Sequence, residues 1–307
     1  MAAREGLLGQ LGAFDQPTWQ DCLNCHAPRV EQQARWRDAG LASLGYLAGV
    51  DCAGCHLRQN VRHGPRGIPH TPHGAVVGNP LFRRSEFCAP CHQFDDDGLS
   101  VNGKPLENTY TEWARSRYAR EGITCQACHM PHGHHGFKGI HDPATTRRGL
   151  AVKAMRTRNG VTVKATNAGA GHALPTYVTP RIVLTIASPA HPVRSVQHRI
   201  HRHMDWDPDT GWREIEDTRL APDKSVVLRL PLPESGQAAV TVEVVPDADY
   251  HERVFPGLLE LLADELSSEA RALLERAREQ AGASRYTLYR FQCPAWSGTD
   301  APCPEGH

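Results

Sequence analysis

Eight of the ten cysteines fall into four identical frames: Cys22-Leu-Asn-Cys25-His26, Cys52-Ala-Gly-Cys55-His56, Cys88-Ala-Pro-Cys91-His92 and Cys125-Gln-Ala-Cys128-His129. Two thiols with two residues between them can add to the two vinyl groups on one edge of a porphyrin. A histidine directly after the second thiol then sets its imidazole under the iron as an axial ligand. Three other chemistries use paired cysteines. A zinc ribbon takes thiolates tetrahedrally, a redox dithiol uses a single pair, and a disulfide framework uses an even count. None of them demands the histidine. With 18 His among 307 residues, four chance placements have a joint probability on the order of 10⁻⁵, against a motif that requires all four. The frames read as attachment sites for four haem c. Cys22, Cys25, Cys52, Cys55, Cys88, Cys91, Cys125 and Cys128 are then the thioether donors, and His26, His56, His92 and His129 the proximal ligands.

Fourteen histidines remain. A haem built for electron transfer takes a second axial ligand, usually His or Met. Beyond Met1 the chain holds only Met130, Met155 and Met204, and Met130 directly follows a proximal His. Bis-histidine ligation is therefore expected. The distal candidates are His73, in the loop beyond the second frame, and His135 and His141, beyond the fourth. His172 is the last, within Asn167-Ala-Gly-Ala-Gly-His-Ala-Leu-Pro-Thr176; His70 and His134 stand in reserve. Around His172 the glycines are expected to admit a large planar ligand close to the backbone, with Pro175 stiffening the loop. His191, His198, His201, His203 and His251 read as surface residues.

Cys293 and Cys303 lie outside the frames in a Pro/Gly-containing tail, and a disulfide closing that short loop is sterically easy. Covalent haem and a disulfide both point outside the cytoplasm, so a periplasmic or extracellular location is expected. Met1–Phe14 lacks a basic start followed by an apolar stretch. The export signal is expected to have been removed, or the assigned start to lie inside the gene.

The elements that must position these groups fall into two textures. The frames begin at 22, 52, 88 and 125, too irregularly for a solenoid. The surrounding stretch is rich in Gly, Pro and His, so the haems themselves are expected to be its core, with the apo-chain largely unfolded. A helix is expected over Thr109–Arg120, stopped by Gly122, and a tight turn at Val101–Lys104. After Gly149 come strand candidates at 161–166, 181–186, 196–200, 225–230 and 239–244, separated by turn clusters such as Asp207-Pro-Asp-Thr-Gly211. Residues 285–291 could add a last strand, for an antiparallel sandwich of about six strands. Residues 257–281 read as a helix, with Leu258, Leu259, Leu262, Leu266, Leu273 and Leu274 on one face. The expected class is α+β: a mostly helical and loop tetrahaem domain over 1–149, with little regular structure. A β-sandwich over 150–307 follows, with a helical segment near 257–281 and a C-terminal tail.

The runs Ser85-Glu-Phe-Cys-Ala-Pro-Cys-His-Gln93, Asn102–Trp113, Cys125-Gln-Ala-Cys-His-Met-Pro131 and Gly139-Ile-His-Asp142, with Gly-Ala-Gly-His-x-x-Pro-Thr at 169–176, resemble the multihaem c-type cytochromes. That class includes the tetrahaem cytochrome of nitrifying bacteria. The resemblance implies electron transfer outside the cytoplasm through mostly bis-His haems, with His73, His135, His141 and His172 at matching positions. Extra histidines at 132 and 134 depart from the pattern.

Charge and hydropathy bound the partners. Lys+Arg and Asp+Glu are equal at 34 each, so no net field points to nucleic acid. No apolar run is long enough for an integral membrane segment, and mean hydropathy is −0.48. Each haem adds about −1 oxidised and about −2 reduced, so the loaded chain should carry roughly −4 to −8 and suit a basic partner surface. The expected function is that of an electron carrier without catalytic residues. Its partners would be redox proteins, either other cytochromes or a quinol-oxidising membrane complex. Two alternatives stay open: a reductase of a small nitrogen or sulfur compound at one five-coordinate haem, and a homo-oligomer or conductive filament.

Overall fold

The computed structural model describes residues 2–12, 16–40, 49–95, 98–207 and 209–306. Met1, Ala13 and Phe14 of the leader reading, and Pro208 of the turn cluster, lie outside the described residues.

The helices in chain order are α1 (Ala2–Leu11), α2 (Gln16–His26), α3 (Val30–Ala39), α4 (Cys52–His56), α5 (Ala89–His92), α6 (Thr109–Ala114), α7 (Arg117–Arg120), α8 (Cys125–His129), α9 (Pro143–Gly149), α10 (Phe255–Leu261) and α11 (Ser268–Ala283). Five short strands lie among the first eight helices: β1 (Leu57–Arg58), β2 (Val61–Gly64), β3 (Val77–Gly78), β4 (Ser100–Val101) and β5 (Lys104–Pro105). The longer ones follow: β6 (Leu150–Thr157), β7 (Gly160–Asn167), β8 (Arg181–Ser188), β9 (His191–Ile200), β10 (Arg202–Asp207), β11 (Gly211–Asp217), β12 (Ser225–Pro231), β13 (Ala238–Val245) and β14 (Tyr286–Cys293), with the short β15 (Ala301–Pro302) at the tail. Mixed helices and antiparallel sheets make the class α+β.

Contacts divide the chain into two interleaved units. The first comprises 1–92, 124–133 and 249–283; the second comprises 93–123, 134–248 and 284–307. All four frames belong to the first.

Among the described residues, the first unit has an aliphatic core only at its helical end. Leu8, Leu11, Leu23, Ala27, Trp36 and Leu273 form one buried cluster, and Phe255, Leu274, Ala277 and Ala281 another. In α11 the buried Ala270, Leu273, Leu274, Ala277 and Ala281 recur at helical spacing and make one apolar stripe. The expected single helix over 257–281 is two helices. Ser267 accepts a hydrogen bond from Ala270 N at 3.1 Å and starts α11 afresh. The sequence texture attached this segment to the β region, whereas its contacts lie with α1 in the first unit.

The second unit is built on two four-stranded antiparallel sheets, ordered β12-β7-β6-β15 and β14-β13-β8-β9. Alternation produces them: β8 buries every second residue, Ile182, Leu184 and Ile186 among them, and β13 buries Val240, Val242 and Val244. These meet Leu150, Ala154, Val161, Val163 and Ala165 of the other sheet in one core. Each such aliphatic side chain contributes about 1.5–3 kcal/mol by leaving water. The expected strands are all present, and β6, β10, β11 and β15 join them. Asp207 accepts from the backbone N–H groups of Asp209 and Thr210 and closes the β10–β11 hairpin. The Asn102-Gly103 turn between β4 and β5 has φ of +52° and +71°, as that sequence favours.

Thr109–Arg120 divides into α6 and α7, because Ser116 donates its hydroxyl back to the Trp113 carbonyl at 2.7 Å. Gly122, at φ +72°, ends the stretch.

Cys293 and Cys303 are joined, with Cα atoms 4.7 Å apart. The bond links the end of β14, in one sheet, to the residue after β15, in the other. Replacing both by serine should cost the unit about 2–3 kcal/mol. The measurement is the denaturant midpoint of the β-sheet circular dichroism; an unchanged midpoint would mean that the tail is held by its strand contacts alone.

Candidate haem centre

The first frame is the last turn of α2, the second and fourth are the five-residue α4 and α8, and the third is α5 with Cys88 directly before it in helical backbone, so each pair of thiols lies three residues apart on one face. Capping fixes where two of the turns begin. Asp51 accepts from Gly54 N at 2.8 Å and starts α4; Arg29 pairs with Asp51 at 3.0 Å. The backbone N–H of Cys125, at the start of α8, donates to the buried Ser85 hydroxyl at 3.0 Å.

The frames converge. Cys25 Sγ donates to the Pro90 carbonyl, within the third frame, at 3.8 Å. The Cys25 and Cys91 thiols lie close enough to perturb each other, as do those of Cys88 and Cys125. Sharing of a proton between the second pair lowers Cys125 and raises Cys88. Gln126 donates to the carbonyls of Phe82, at 3.4 Å, and Arg84, at 2.7 Å. The His56 ring stacks on Phe82 with centroids 4.9 Å apart, and Phe82 lies 4.5 Å from Phe87. His26 and His92 are both held below the ordinary histidine value, by desolvation first and then by a neighbouring imidazole: His92 acts on His26, and His129 on His92.

Whether this unit fits haem c is testable on its packing. Over residues 49–92 the buried positions among the described residues are Gly54, Gly64 and Ser85, none with an apolar side chain. Such a stretch has no core of its own to offset the conformational entropy of ordering it. A large apolar macrocycle tied to each frame would supply one. The eight frame thiols are free of disulfides, as thioether formation requires. His56 Nδ1 also faces the His63 carbonyl at 2.7 Å, the second contact that orients a metal-bound imidazole. The residues present fit the group.

The distal candidates have different settings. His73 is exposed, its backbone N–H donating to Thr71 Oγ1 at 3.2 Å. His135 is exposed, its ring edge-on to Phe137 at 5.9 Å. His141 is exposed and its Nε2 faces Asp247 at 2.9 Å. His172 is half-buried, and its Nδ1 faces the Ala173 carbonyl at 2.8 Å. Because that carbonyl can only accept, the proton sits on Nδ1 and the lone pair on Nε2.

The loop carrying His172 is held from several sides. Asn167, fully buried, donates to the carbonyls of His172 at 2.8 Å and Leu220 at 2.9 Å and accepts from Ala170 N at 3.0 Å. Glu112 accepts from Ala173 N at 2.9 Å and pairs with Arg219 at 3.3 Å. Arg219 bonds the Thr176 carbonyl at 2.9 Å and Asp217 at 2.8 Å; Lys104 bonds Asp217 and Glu214, each at 2.8 Å. Burial pushes the Glu112 and Glu107 carboxyls up. Sequence gives none of these partners a role at His172, since they meet only through the fold.

Burial also pushes Asp217 up, but hydrogen bonds from Arg219 and Lys104 outweigh it and hold it well below the usual carboxylate range. Its folded value therefore lies below its unfolded one. The stabilisation is complete above the unfolded value of about 3.9 and is lost as pH falls through the folded value. Asp217→Asn should flatten that part of the acid-unfolding curve; an identical curve would show that the pair adds nothing.

Two expectations are corrected. The glycines before His172 admit protein, not ligand. A Cβ on Gly169 would lie 2.1 Å from the Arg148 carbonyl oxygen, and one on Gly171 would lie 3.1 Å from Trp113. His201 is not a surface residue. It is 4% exposed, its Nε2 faces Glu216 at 3.0 Å, and burial holds it below the ordinary histidine value.

No protein-family model and no curated protein matches the chain. Among solved structures, a penta-haem cytochrome c552 from Thermochromatium tepidum matches over 92% of this chain and 83% of that one, with TM-score 0.57 and 19% identity. This chain shares the fold of a multihaem cytochrome. Among the described residues, no helix is long and apolar enough to cross a membrane.

Proposed function

We propose that the chain is an electron-transfer protein working outside the cytoplasm, with four haems held covalently by its four frames. The observation that carries this reading is the convergence of four Cys-x-x-Cys-His turns within one unit, three of them in stretches that bury no apolar side chain among the described residues. The fold shared with a penta-haem cytochrome supports it, and the count of four follows from the frames in this sequence. The haem supplies one-electron chemistry at iron. The chain's own residues attach it, ligate it and set its surroundings. Cys22, Cys25, Cys52, Cys55, Cys88, Cys91, Cys125 and Cys128 hold the porphyrins, and His26, His56, His92 and His129 are the proximal ligands. His73, His135, His141 and His172 are the distal ligands. The disulfide supports the oxidising compartment, and the propionate charge favours redox partners with a basic docking face.

His172 has the setting most like a ligand, with Nδ1 turned to a carbonyl and its loop bonded on several sides. His172→Ala should convert one of four low-spin ferric centres to high spin, read by electron paramagnetic resonance, with four haems still covalently attached. An unchanged spectrum removes His172 from the ligand set. A high-spin centre in the unaltered chain that binds small ligands would replace this reading with a reductase. One that vanishes on assembly would replace it with a filament subunit.

A further inference from the structure

We propose that the cleft between the α6–α7 corner and the turn at 221–224 binds a small anion carrying two or more negative charges, of the phosphate-ester or polycarboxylate class. The cleft lies wholly in the second unit, so it stands whether or not the frames carry haem.

The cleft encloses about 720 Å³, within the range of roughly 300–1,000 Å³ typical of small-ligand sites. Six cations line it, Lys104, Arg115, Arg117, Arg120, Arg219 and Lys224, against the carboxylates of Glu112, Asp217 and Asp223. Three of the cations are matched. Lys104 and Arg219 bond Asp217, each at 2.8 Å, and Arg117 bonds Asp223 at 2.9 Å. The other three are not. Among the described residues the Arg115 and Lys224 side chains bond nothing, and Arg120 reaches only the Arg115 carbonyl, at 3.2 Å. Charge of one sign held in a concave, protein-walled space is focused there rather than dispersed into bulk water, and it raises the local concentration of anions. Two of the spare cations are guanidiniums, whose planar forks suit pairs of phosphate or carboxylate oxygens.

The backbone fixes where these charges stand. Lys224 N donates to the Ala221 carbonyl at 3.0 Å, and the Lys224 carbonyl accepts from Asn167 N at 3.0 Å. Asp223, at φ +66°, donates its N–H to the Asn167 carbonyl at 2.9 Å, and its carboxylate holds Arg117 of α7. On the opposite wall Arg115 N donates to the Thr111 carbonyl at 3.2 Å, one residue before the break that Ser116 makes between α6 and α7. Arg219 is the buried cation of the site, its side chain 5% exposed and paired with Glu112 and Asp217. A ligand therefore meets charges whose backbone positions are set before it arrives, which lowers the ordering cost of binding. Concavity favours a small anion over the broad face of an acidic protein.

Titration calorimetry of the full chain as purified, at constant ionic strength in a zwitterionic buffer, tests the site with pyrophosphate, citrate and acetate. Saturable one-to-one binding of pyrophosphate or citrate is expected, with acetate at least about tenfold weaker. The tighter of the two assigns the ligand to the phosphoryl or the carboxylate class. Arg115→Gln/Lys224→Gln removes two unpaired cations from the cleft and should weaken that binding at least about tenfold. Lys153→Gln/Arg229→Gln removes the same charge from exposed positions of β6 and β12 that do not line the cleft, and should change it less than about twofold. No saturable binding to the unaltered chain, acetate binding as tight as the multivalent probes, or equal weakening in both double variants overturns the site. Absence of covalent haem from the purified chain overturns the haem reading and leaves these titrations to decide the cleft.

Discussion

With one haem on each frame, as proposed, Cys125→Ala/Cys128→Ala should yield a chain with three covalent haems in place of four, and with a first unit that a protease opens. The expectation of lost order follows from packing. Neither 49–92 nor 124–133 buries an apolar side chain among the described residues. What orders them is a few turns, caps and backbone bonds, each worth only about 0.5–1.5 kcal/mol net. Fixing one residue's backbone costs about 1–2 kcal/mol, so removing one macrocycle uncovers a deficit that these bonds cannot offset. The second unit has its own aliphatic core and should keep its β-sheet spectrum. Limited proteolysis with mass mapping checks both halves of the expectation. Cuts confined to the first unit support it; a chain that resists protease with three haems would mean that the polypeptide orders itself.

The second large effect concerns a residue that carries no redox chemistry. Arg156 lies on β6, 2% exposed, with its guanidinium among backbone carbonyls. It donates to Pro294 at 3.0 Å, Gly160 at 2.9 Å, Pro233 at 2.7 Å, Glu234 at 2.9 Å and Gly236 at 3.0 Å, and also to Thr157. One side chain thereby ties the β6–β7 turn, the segment after β12 and the tail after β14. Arg156→Met keeps most of the volume and leaves several buried acceptors short of a donor, each costing about 1–3 kcal/mol. The second unit should lose at least about 3 kcal/mol, seen as a lower urea midpoint with four haems still attached. A loss below about 1 kcal/mol would mean that water replaces the guanidinium at no cost.

Legibility differed between the two textures. The β strands could be read because alternation is a local signal: β7, β8, β12 and β13 each bury one face, and their hydrophobic residues recur every second position. The missed β10 and β11 carry charge on both faces. Arg202, Glu214 and Glu216 sit where alternation would place apolar residues, and Arg202 is buried by its bonds to Glu214 and to the Lys104 and Pro105 carbonyls. A buried arginine paired across the chain looks like a surface arginine in sequence. The leucine-rich stretch near 257–281 was recognisable as helical, but its partner, α1, lies some 250 residues earlier. The division at 149/150 follows composition, whereas contacts interleave three segments in each unit.

Sequence by itself carries the proposed chemistry at the frames, because two thiols for thioether bonds and an imidazole for the iron are set by a local spacing, and a local spacing survives any fold. It likewise pointed to the Cys293–Cys303 pair, whose loop is short enough to close unaided. Tertiary structure alone decided which frames meet, because those contacts join residues 25 and 90, or 85 and 125, across stretches with no periodicity to phase them. It also decided what supports His172. Asn167, Glu112 and Arg219 act there through hydrogen bonds made only once the strands have paired, so nothing in their spacing along the chain announces them.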